Sequence, residues 1–185
     1  ESKTGGYGFV IIDKNNDTFE GAMHKRRINK FISKSYCPVL AVNKNFPVRD
    51  IKKIVIPIDI SQSTKKRLLW AIFFAKKFNA QISIVSALNV NIDERKSLAY
   101  KNAEKIERLL LNRGIDCTVK ILKVHKREKI KAILAFIEEE NPELVILRTH
   151  QEYVFSGKNI GKFVSEIVHG CKMPVFTVNY TQNPF

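Results

Sequence analysis

An internal repeat constrains this chain more than any other feature of its sequence. Residues 144–178 contain an apolar run, a polar loop, an amphipathic run and, after Met-Pro, a second apolar run. Moved back by 136 positions, most of this stretch, residues 145–178, matches residues 9–42 without a gap, both in apolar pattern and in Gly and Pro positions. Apolar composition alone does not produce an ungapped match of this kind. We therefore interpret each copy as a strand, a loop, a helix and a second strand.

Strand-like and helix-like patterns alternate along the whole chain. A nearly continuous apolar run, such as Lys53–Ile58, is typical of a strand buried on both faces of a parallel sheet. The predicted strands are residues 7–12, 39–42, 53–58, 81–87, 118–124, 144–147 and 175–178. The predicted helices are residues 21–34, a helix that Ser61 or Ser63 caps and that extends to about residue 78, and residues 93–113, 128–140 and 160–169. The alternation predicts an α/β fold, a three-layer open sheet with parallel strands and helices on both faces.

The composition favours a folded protein of a reducing compartment. With 185 residues, 44% of them hydrophobic, the chain is long enough for a domain and a half with a buried core. Its three cysteines are scattered and form no Cys-x-x-Cys pair, which favours free thiols in the cytoplasm. The longest apolar runs, such as residues 68–75, are too short to span a bilayer, so we expect no membrane segment.

The formal net charge of +14 leaves one further class of partner open. A strongly basic surface attracts polyanions, which include nucleic acids. One cluster of cations stands on the first predicted helix, at Lys25, Arg26, Arg27, Lys30 and Lys34. The other cations are spread over the whole chain, and a solvated lysine-rich surface explains them more simply. Nucleic-acid binding is therefore a secondary alternative.

The sequence lacks the patterns that are typical of enzymes and metal sites. The spacing of its four histidines is not that of metal ligands. These histidines are His24, His125, His150 and His169. No serine stands in a Gly-x-Ser-x-Gly motif, the pattern of a hydrolase nucleophile. Asp59 alone does not make an acid–base pair, so we expect no catalytic residue, no metal and no enzyme activity.

Three motifs resemble those of the universal stress protein family. They are IVIPIDIS at residues 54–61, AKKFNAQISIVSAL at residues 75–88, and LVILRTH at residues 144–150, followed by Gly161 and Met-Pro-Val. The resemblance covers residues 51–179 fully and residues 6–43 in part. It implies five parallel strands in the order 3-2-1-4-5. It also implies a cytoplasmic protein that binds ATP or related nucleotides and pairs through its last strands, in some members as a tandem repeat.

The resemblance also implies which residues would hold a nucleotide. Asp59 matches the aspartate that contacts adenine and ribose after the first strand of the domain. The phosphates rest on Gly-x-x-Gly, nine residues, then Gly-Ser/Thr, because a Cβ would obstruct the backbone N–H groups. Gly161 matches the third glycine, whereas Arg148 and Gln151 replace the first two and Lys162 replaces the hydroxyl residue. These residues predict a degenerate site without a resident cofactor, at which ATP binds weakly at best.

The repeat and the resemblance together predict two units. Residues 1–46 would be the C-terminal part of a first universal-stress-like repeat, and residues 49–180 a complete second domain. In the first copy the positions that match the phosphate loop are Ile12, Asn15, Lys25 and Arg26. None of them is glycine. The first copy also has no counterpart of the first three strands of the second domain, so we expect the gene to encode further residues before Glu1.

The last strand of each unit is apolar and lies at a sheet edge in the strand order that the resemblance implies. An unpaired apolar edge promotes association, and pairing the two last strands removes both edges. We therefore expect the strand from Pro38 to Val42 to lie antiparallel beside the strand from Pro174 to Val178. This pairing forms within one chain or across a homodimer.

The leading hypothesis is a non-catalytic universal stress protein that acts in the stress response as a regulatory or scaffold module with a degenerate nucleotide site. The first alternative is a universal stress protein that binds ATP or another nucleotide through Asp59, Gly161 and side-chain cations. The second alternative is a basic nucleic-acid-binding protein.

Overall fold

The apolar runs of the sequence form the strands of one mixed sheet, and the amphipathic runs form helices on its two faces. The computed structural model of the chain describes residues 8–14, 21–47, 49–58, 65–94, 97–149 and 160–178. The strands are β1 (Val10–Asp13), β2 (Val39–Val42), β3 (Lys53–Ile58), β4 (Gln81–Asn89), β5 (Cys117–Val124), β6 (Leu144–Arg148) and β7 (Val175–Val178). The helices are α1 (Gly21–Lys34), α2 (Lys65–Phe78), α3 (Leu98–Leu111), α4 (Lys129–Glu140) and α5 (Lys162–Gly170). A single 3-10 turn, Lys126–Glu128, precedes α4.

The sheet contains seven strands in the order β1-β2-β7-β6-β3-β4-β5. Neighbouring strands run parallel, except that β2 and β7 are antiparallel. Within this sheet the last five strands keep the 3-2-1-4-5 order that the resemblance implies. The expectation of a five-stranded sheet beside a strand-helix-strand remnant needs correction, because β1 and β2 extend the same sheet. The physical reason is that β2 and β7 would each be an edge strand with unpaired backbone N–H and C=O groups. By pairing with each other, they form hydrogen bonds with these groups.

Two apolar clusters fill the space between the sheet and the helices. On the α2/α3 face, the ring of Trp70 lies 5.0 Å from that of Phe176, a residue of β7. On the α1/α5 face, which α4 also covers, Val145 and Val175 are fully buried. The central strand β3 has five buried residues out of six, as its nearly continuous apolar run predicts.

Local hydrogen bonds determine where α3 and α4 begin and end. The Ser97 hydroxyl caps α3 by accepting a hydrogen bond from the Tyr100 N–H at 3.1 Å. The helix therefore begins later than the predicted start at Asp93, because the Ser97 N–H is used in a turn with the Glu94 carbonyl. At the other helix, Asn141 adopts φ 45° and ends α4 in the left-handed conformation that asparagine tolerates.

A pseudo-two-fold axis relates the two copies of the repeat. Leu40 and Phe176, which are equivalent residues of the two copies, lie opposite each other in the β2/β7 ladder. Asn29 and Ser165 are also equivalent, and their side chains form a hydrogen bond of 2.8 Å between α1 and α5. Equivalent residues meet each other only close to a two-fold axis. This axis therefore passes between β2 and β7, perpendicular to the sheet.

The two first strands of the repeat do not follow the ungapped alignment. In β1, Ile11 pairs with Leu40, whereas in β6 Ile146 pairs with Phe176. The structural partner of Ile146 is thus Ile11, one residue later than the sequence match suggests, and the connection from β1 to β2 is one residue shorter. The ungapped alignment is therefore wrong for β1. The difference matters because shifting a strand by one residue turns each of its side chains to the opposite face of the sheet.

A buried lysine joins the first copy to the second. Lys14 follows β1 directly, and its Nζ donates hydrogen bonds of 2.7 Å to the carbonyls of Cys171 and Met173. These carbonyls lie at the end of α5, where the helix leaves backbone acceptors without intrahelical partners. Burial lowers the pKa of Lys14 to about 8, against a weaker opposing effect of Cys171.

The helices of the described segments are too short or too polar to cross a membrane.

Candidate functional site

The candidate site lies where the parallel strands end. β3 ends at Ile58 and β6 ends at Arg148, so the carboxyl ends of two neighbouring strands meet at this edge. Gly161 caps α5, whose first residue is Lys162. Asp59 and Gln151, the other two residues of the predicted site, lie outside the described residues.

Arg148 is buried at the strand end, with a relative exposure of 6%. Arg148 pairs with Val178 of β7. The next residue, Thr149, is also buried, and its backbone N–H donates a hydrogen bond of 2.8 Å to the Val178 carbonyl. A guanidinium group carries five N–H donors and a large volume. The position that the resemblance assigns to the first phosphate-contact glycine is therefore filled by a large buried side chain.

Gly161 does not have a backbone conformation that requires glycine. Its φ is −58° and its ψ is 153°, which every L-residue adopts readily. Its carbonyl accepts the first hydrogen bond of α5, from the Ser165 N–H at 3.0 Å. The backbone conformation of Gly161 therefore does not by itself require glycine.

Lys162 points to solvent instead of into the strand ends. Its side chain is 85% exposed, and its Nζ lies 3.6 Å from a carboxylate oxygen of Glu166, one turn further along α5. An exposed ion pair of this type contributes little to stability, so the ammonium remains available to an anionic ligand.

A crevice of about 1190 Å³ opens between α4 and α5 beside these residues. Its floor includes Ile58 and Ala87 at the strand ends together with Ile133 and Leu134 of α4. The cations that line it are Lys25, Arg127, Lys129, Lys131 and Lys162. Glu166 is the acidic residue among the described lining residues. The crevice thus combines an apolar floor with an excess of positive charge.

His169 lies at the end of the crevice where α5 ends, and it contacts α1. The Nε2 atom of His169 is 2.9 Å from the Asn29 Oδ1, and its Nδ1 is buried without a hydrogen-bond partner among the described residues. Burial, together with the smaller effects of the charges of Lys25, Lys14 and His24, lowers the pKa of His169 to about 4. His169 is therefore neutral at pH 7. No cluster of three potential metal ligands occurs in the described segments.

Sequence reasoning did not identify all residues of this region. Arg127, Lys129 and Lys131 stand in a sequence stretch that is rich in lysine, where only the fold shows which cations face the crevice. Lys14 lies in the polar stretch between the predicted strand at residues 7–12 and the predicted helix at residues 21–34, and the sequence gives no sign that it is buried. Because β1 runs antiparallel to β3 and β6, Lys14 lies at the opposite edge of the sheet from the ends of these two strands.

The family model described as "Universal stress protein family" matches residues 50–179. The chain belongs to the universal stress protein family. The match covers β3 to β7 and leaves β1, α1 and β2 outside it. None of the curated proteins matches the sequence.

Solved structures share the fold at low sequence identity. A universal stress protein from Archaeoglobus fulgidus DSM 4304 has a TM-score of 0.70 and 18% identity, over 94% of this chain and 61% of its own. A universal stress protein in complex with cAMP has a TM-score of 0.56 and 16% identity, over 71% of this chain and 98% of its own. A third, from Archaeoglobus fulgidus in complex with dAMP, has a TM-score of 0.51 and 14% identity, over 70% and 98%. The chain therefore spans less than two thirds of the first of these structures.

Proposed function

We propose that this universal stress protein is a non-catalytic regulatory or scaffold module of the cytoplasm, with a degenerate nucleotide site. The observation that carries the proposal is the burial of Arg148 at the end of β6. Where a phosphate loop needs glycine so that phosphates approach the backbone, this chain has a large cationic side chain packed into the sheet end. The free thiols of Cys37, Cys117 and Cys171 support a reducing compartment.

Calorimetry with ATP tests the degenerate site. We expect a dissociation constant on the order of millimolar, which corresponds to about 4 kcal/mol, because the phosphate contacts that supply much of the affinity are missing. Micromolar affinity for ATP in the unmodified chain would contradict the proposal.

A matched pair of variants tests the cause of the weak binding. Arg148→Gly, Gln151→Gly and Lys162→Ser together should strengthen ATP binding, because they restore the pattern that lets phosphates reach backbone N–H groups. The control carries Ala in place of Gly at both positions, so it removes the bulk but keeps a Cβ. It should gain less affinity than the glycine variant. Since Arg148 is buried, thermal unfolding of both variants must show that they are folded.

The second candidate function is nucleotide binding through side-chain cations, and the crevice between α4 and α5 favours it. Five cations and an apolar floor suit a ligand with phosphates and a ring. Two of the similar structures contain cAMP and dAMP. If this candidate is correct, Lys129→Ala with Lys131→Ala weakens ATP binding, whereas Lys101→Ala with Lys105→Ala, two exposed lysines of α3, leaves it unchanged.

We also propose that the two last strands pair within the chain and not across a homodimer. β2 and β7 are already hydrogen-bonded to each other, so neither offers a free edge to a second copy. Sedimentation of the chain tests this proposal, and a dimer that dissociates when β2 is altered by Leu40→Pro would contradict it.

A further inference from the structure

The crevice between α4 and α5 is open at the carboxyl edge of the sheet and closed at its other end. Both helices line it, α4 between Lys129 and Leu134 and α5 between Lys162 and Gly170. The helices meet at the closed end, where a Cβ on Gly170 would lie only 2.8 Å from the Leu134 Cδ1. The nine residues of α5 give the crevice a length of about 13 Å, at 1.5 Å per residue. This length corresponds to about two turns of a further helix.

The floor of the crevice consists of apolar side chains. Ile130, Ile133 and Leu134 of α4 recur at the helical spacing of i, i+3 and i+4, and Phe163 of α5 lines the same crevice. Ile133 is buried, whereas the other three are half-buried. The strands below, β3 and β4, each pair with a neighbour on both sides, so the crevice offers no free strand edge. A partner segment that forms its own backbone hydrogen bonds, as a helix does, therefore suits it better than an extended one.

The positive charge of the crevice is not balanced within the described part of the chain. Of the five cations that line it, only Lys162 forms an ion pair there, with the exposed carboxylate of Glu166. Outside the crevice, by contrast, Lys53, Arg108 and Lys172 each pair with a glutamate. An apolar floor bordered by unbalanced cations is complementary to a ligand that has an apolar face and acidic flanks.

The charges along α4 run opposite to those that stabilise a helix. Lys129 and Lys131 stand in its first turn, which contains no acidic residue, and its last three residues, 138–140, are all glutamate. The helix macrodipole favours acidic groups at the N-terminus and cations at the C-terminus, so this arrangement destabilises α4. Both α4 and α5 begin at the carboxyl edge of the sheet, since they lead into the parallel strands β6 and β7. An acidic partner at the open end therefore interacts favourably with the cations and with two helix N-termini.

The crevice belongs to the part of the chain that the family model covers. Except for Lys25, all of its described lining residues lie within residues 50–179.

We propose that this crevice docks an acidic amphipathic helix of a partner protein. About two turns of that helix lie along α4 and α5, and its apolar side chains pack on Ile130, Leu134 and Phe163. Its flanking carboxylates pair with the lysines on the two walls, Lys131 and Lys162 among them. This docking rests on the proposed function, because it names the chemistry of the partner that a regulatory or scaffold module binds.

A nucleotide fits the same crevice less well. Small-molecule sites have volumes of roughly 300–1,000 Å³, and the crevice measures about 1190 Å³. At the end of β6, moreover, the buried side chain of Arg148 occupies the position at which phosphates would approach the backbone.

Fluorescence anisotropy of a labelled synthetic peptide tests the proposal on the full chain. The peptide is a helix of about four turns, with leucine at i, i+3, i+4 and i+7 and glutamate on both flanks of this face. We expect a dissociation constant on the order of ten micromolar. The control peptide has the same composition and charge, but its leucines are distributed over all faces of the helix. It should bind about tenfold more weakly or less, because it presents no apolar face to the floor.

Two matched pairs of substitutions locate the binding surface. Lys129→Glu with Lys131→Glu reverses the charge of one wall and should weaken peptide binding by about tenfold or more. This variant should remain folded, because acidic residues are favourable in the first turn of a helix. The control, Lys101→Glu with Lys105→Glu, makes the same change of charge on α3, which packs on the opposite face of the sheet, and should leave binding unchanged.

Four outcomes overturn the proposal. They are no binding at about 1 mM peptide, equal binding of both peptides, equal loss of binding in both variants, and displacement of the peptide by a single-stranded oligonucleotide that binds more tightly. Equal binding of the peptides shows that charge alone is sufficient, and displacement by the oligonucleotide assigns the crevice to nucleic acid.

Calorimetry with ATP separates this proposal from the proposed function. Millimolar ATP affinity together with a failure of the peptide to bind removes only the docked helix and leaves the degenerate site intact. Micromolar ATP affinity together with displacement of the peptide by ATP contradicts both proposals.

Discussion

Lys14 shows how one side chain joins two parts of the molecule. Its amine is buried and faces two backbone carbonyls, those of Cys171 and Met173. A neutral amine has two N–H donors, which match these two acceptors, whereas the ammonium form must also be desolvated. This balance explains why burial lowers the pKa of Lys14 to about 8.

The pH dependence of stability should report this buried amine. Because the pKa of Lys14 is about 8 in the folded chain and 10.5 in the unfolded one, the unfolded state binds more protons between these values. The free energy of unfolding should therefore rise with pH across this interval, relative to Lys14→Met, by up to about 1.4 kcal/mol per pH unit. Urea unfolding of both proteins from pH 7 to 10.5 measures the difference. Parallel pH profiles would show that Lys14 titrates normally.

The imidazole of His169 should titrate far below its ordinary range. Its pKa is lowered to about 4, first by burial and then by the charge of Lys25. Because the histidine of the unfolded chain binds its proton at higher pH, the free energy of unfolding should rise with pH from about 4 to 6.5, and His169 should not change it outside this interval. NMR titration of the imidazole measures the pKa directly. Lys25→Gln should raise it, whereas Lys34→Gln, on the same helix but not among the causes of the shift, should not.

At the scale of elements, α3 depends on its cap. The Ser97 hydroxyl accepts the Tyr100 N–H at 3.1 Å and donates to the Glu94 carbonyl at 2.6 Å. Ser97→Ala should lower the free energy of unfolding by about 1 kcal/mol, because it leaves an N–H of the first turn without a partner. Ser97→Asp keeps an acceptor at the cap and should recover most of the loss. Equal denaturation midpoints for Ser97→Ala and the unmodified chain would contradict this role.

At the scale of the whole molecule, the continuous sheet should unfold as one unit. β2 and β7 join the two copies by backbone hydrogen bonds, and Trp70 packs on Phe176 close to this junction. Far-UV circular dichroism and Trp70 fluorescence should therefore show coincident urea transitions. The division into residues 1–46 and 49–180 stays a prediction, and two separate transitions would support it as a division into independent domains. Thr177→Val, which removes the hydrogen bond to the Val39 carbonyl, should shift both probes together.

The sequence by itself determined the local elements and the family. Apolar runs predicted the strands and amphipathic periodicity predicted the helices. The motifs at residues 54–61, 75–88 and 144–150, followed by Gly161 and Met-Pro-Val, carried the resemblance. The replacement of two glycines by Arg148 and Gln151 was also visible in the sequence alone. These features are readable because they depend on neighbours in the chain: side-chain period, turn residues and short motifs.

Only the tertiary structure decided how the two copies meet. The intrachain pairing of β2 with β7 and the burial of Lys14 depend on contacts between residues more than a hundred positions apart, and the one-residue slip of β1 depends on its pairing with β2. The slip was invisible because Ile11 and Ile12 are both apolar, so either register of β1 fits the sequence pattern equally well. The exposure of Ile11 against the burial of Ile146 has the same origin. These equivalent positions differ because, among the residues that the structure describes, only Ile146 has a strand and a helix beside it.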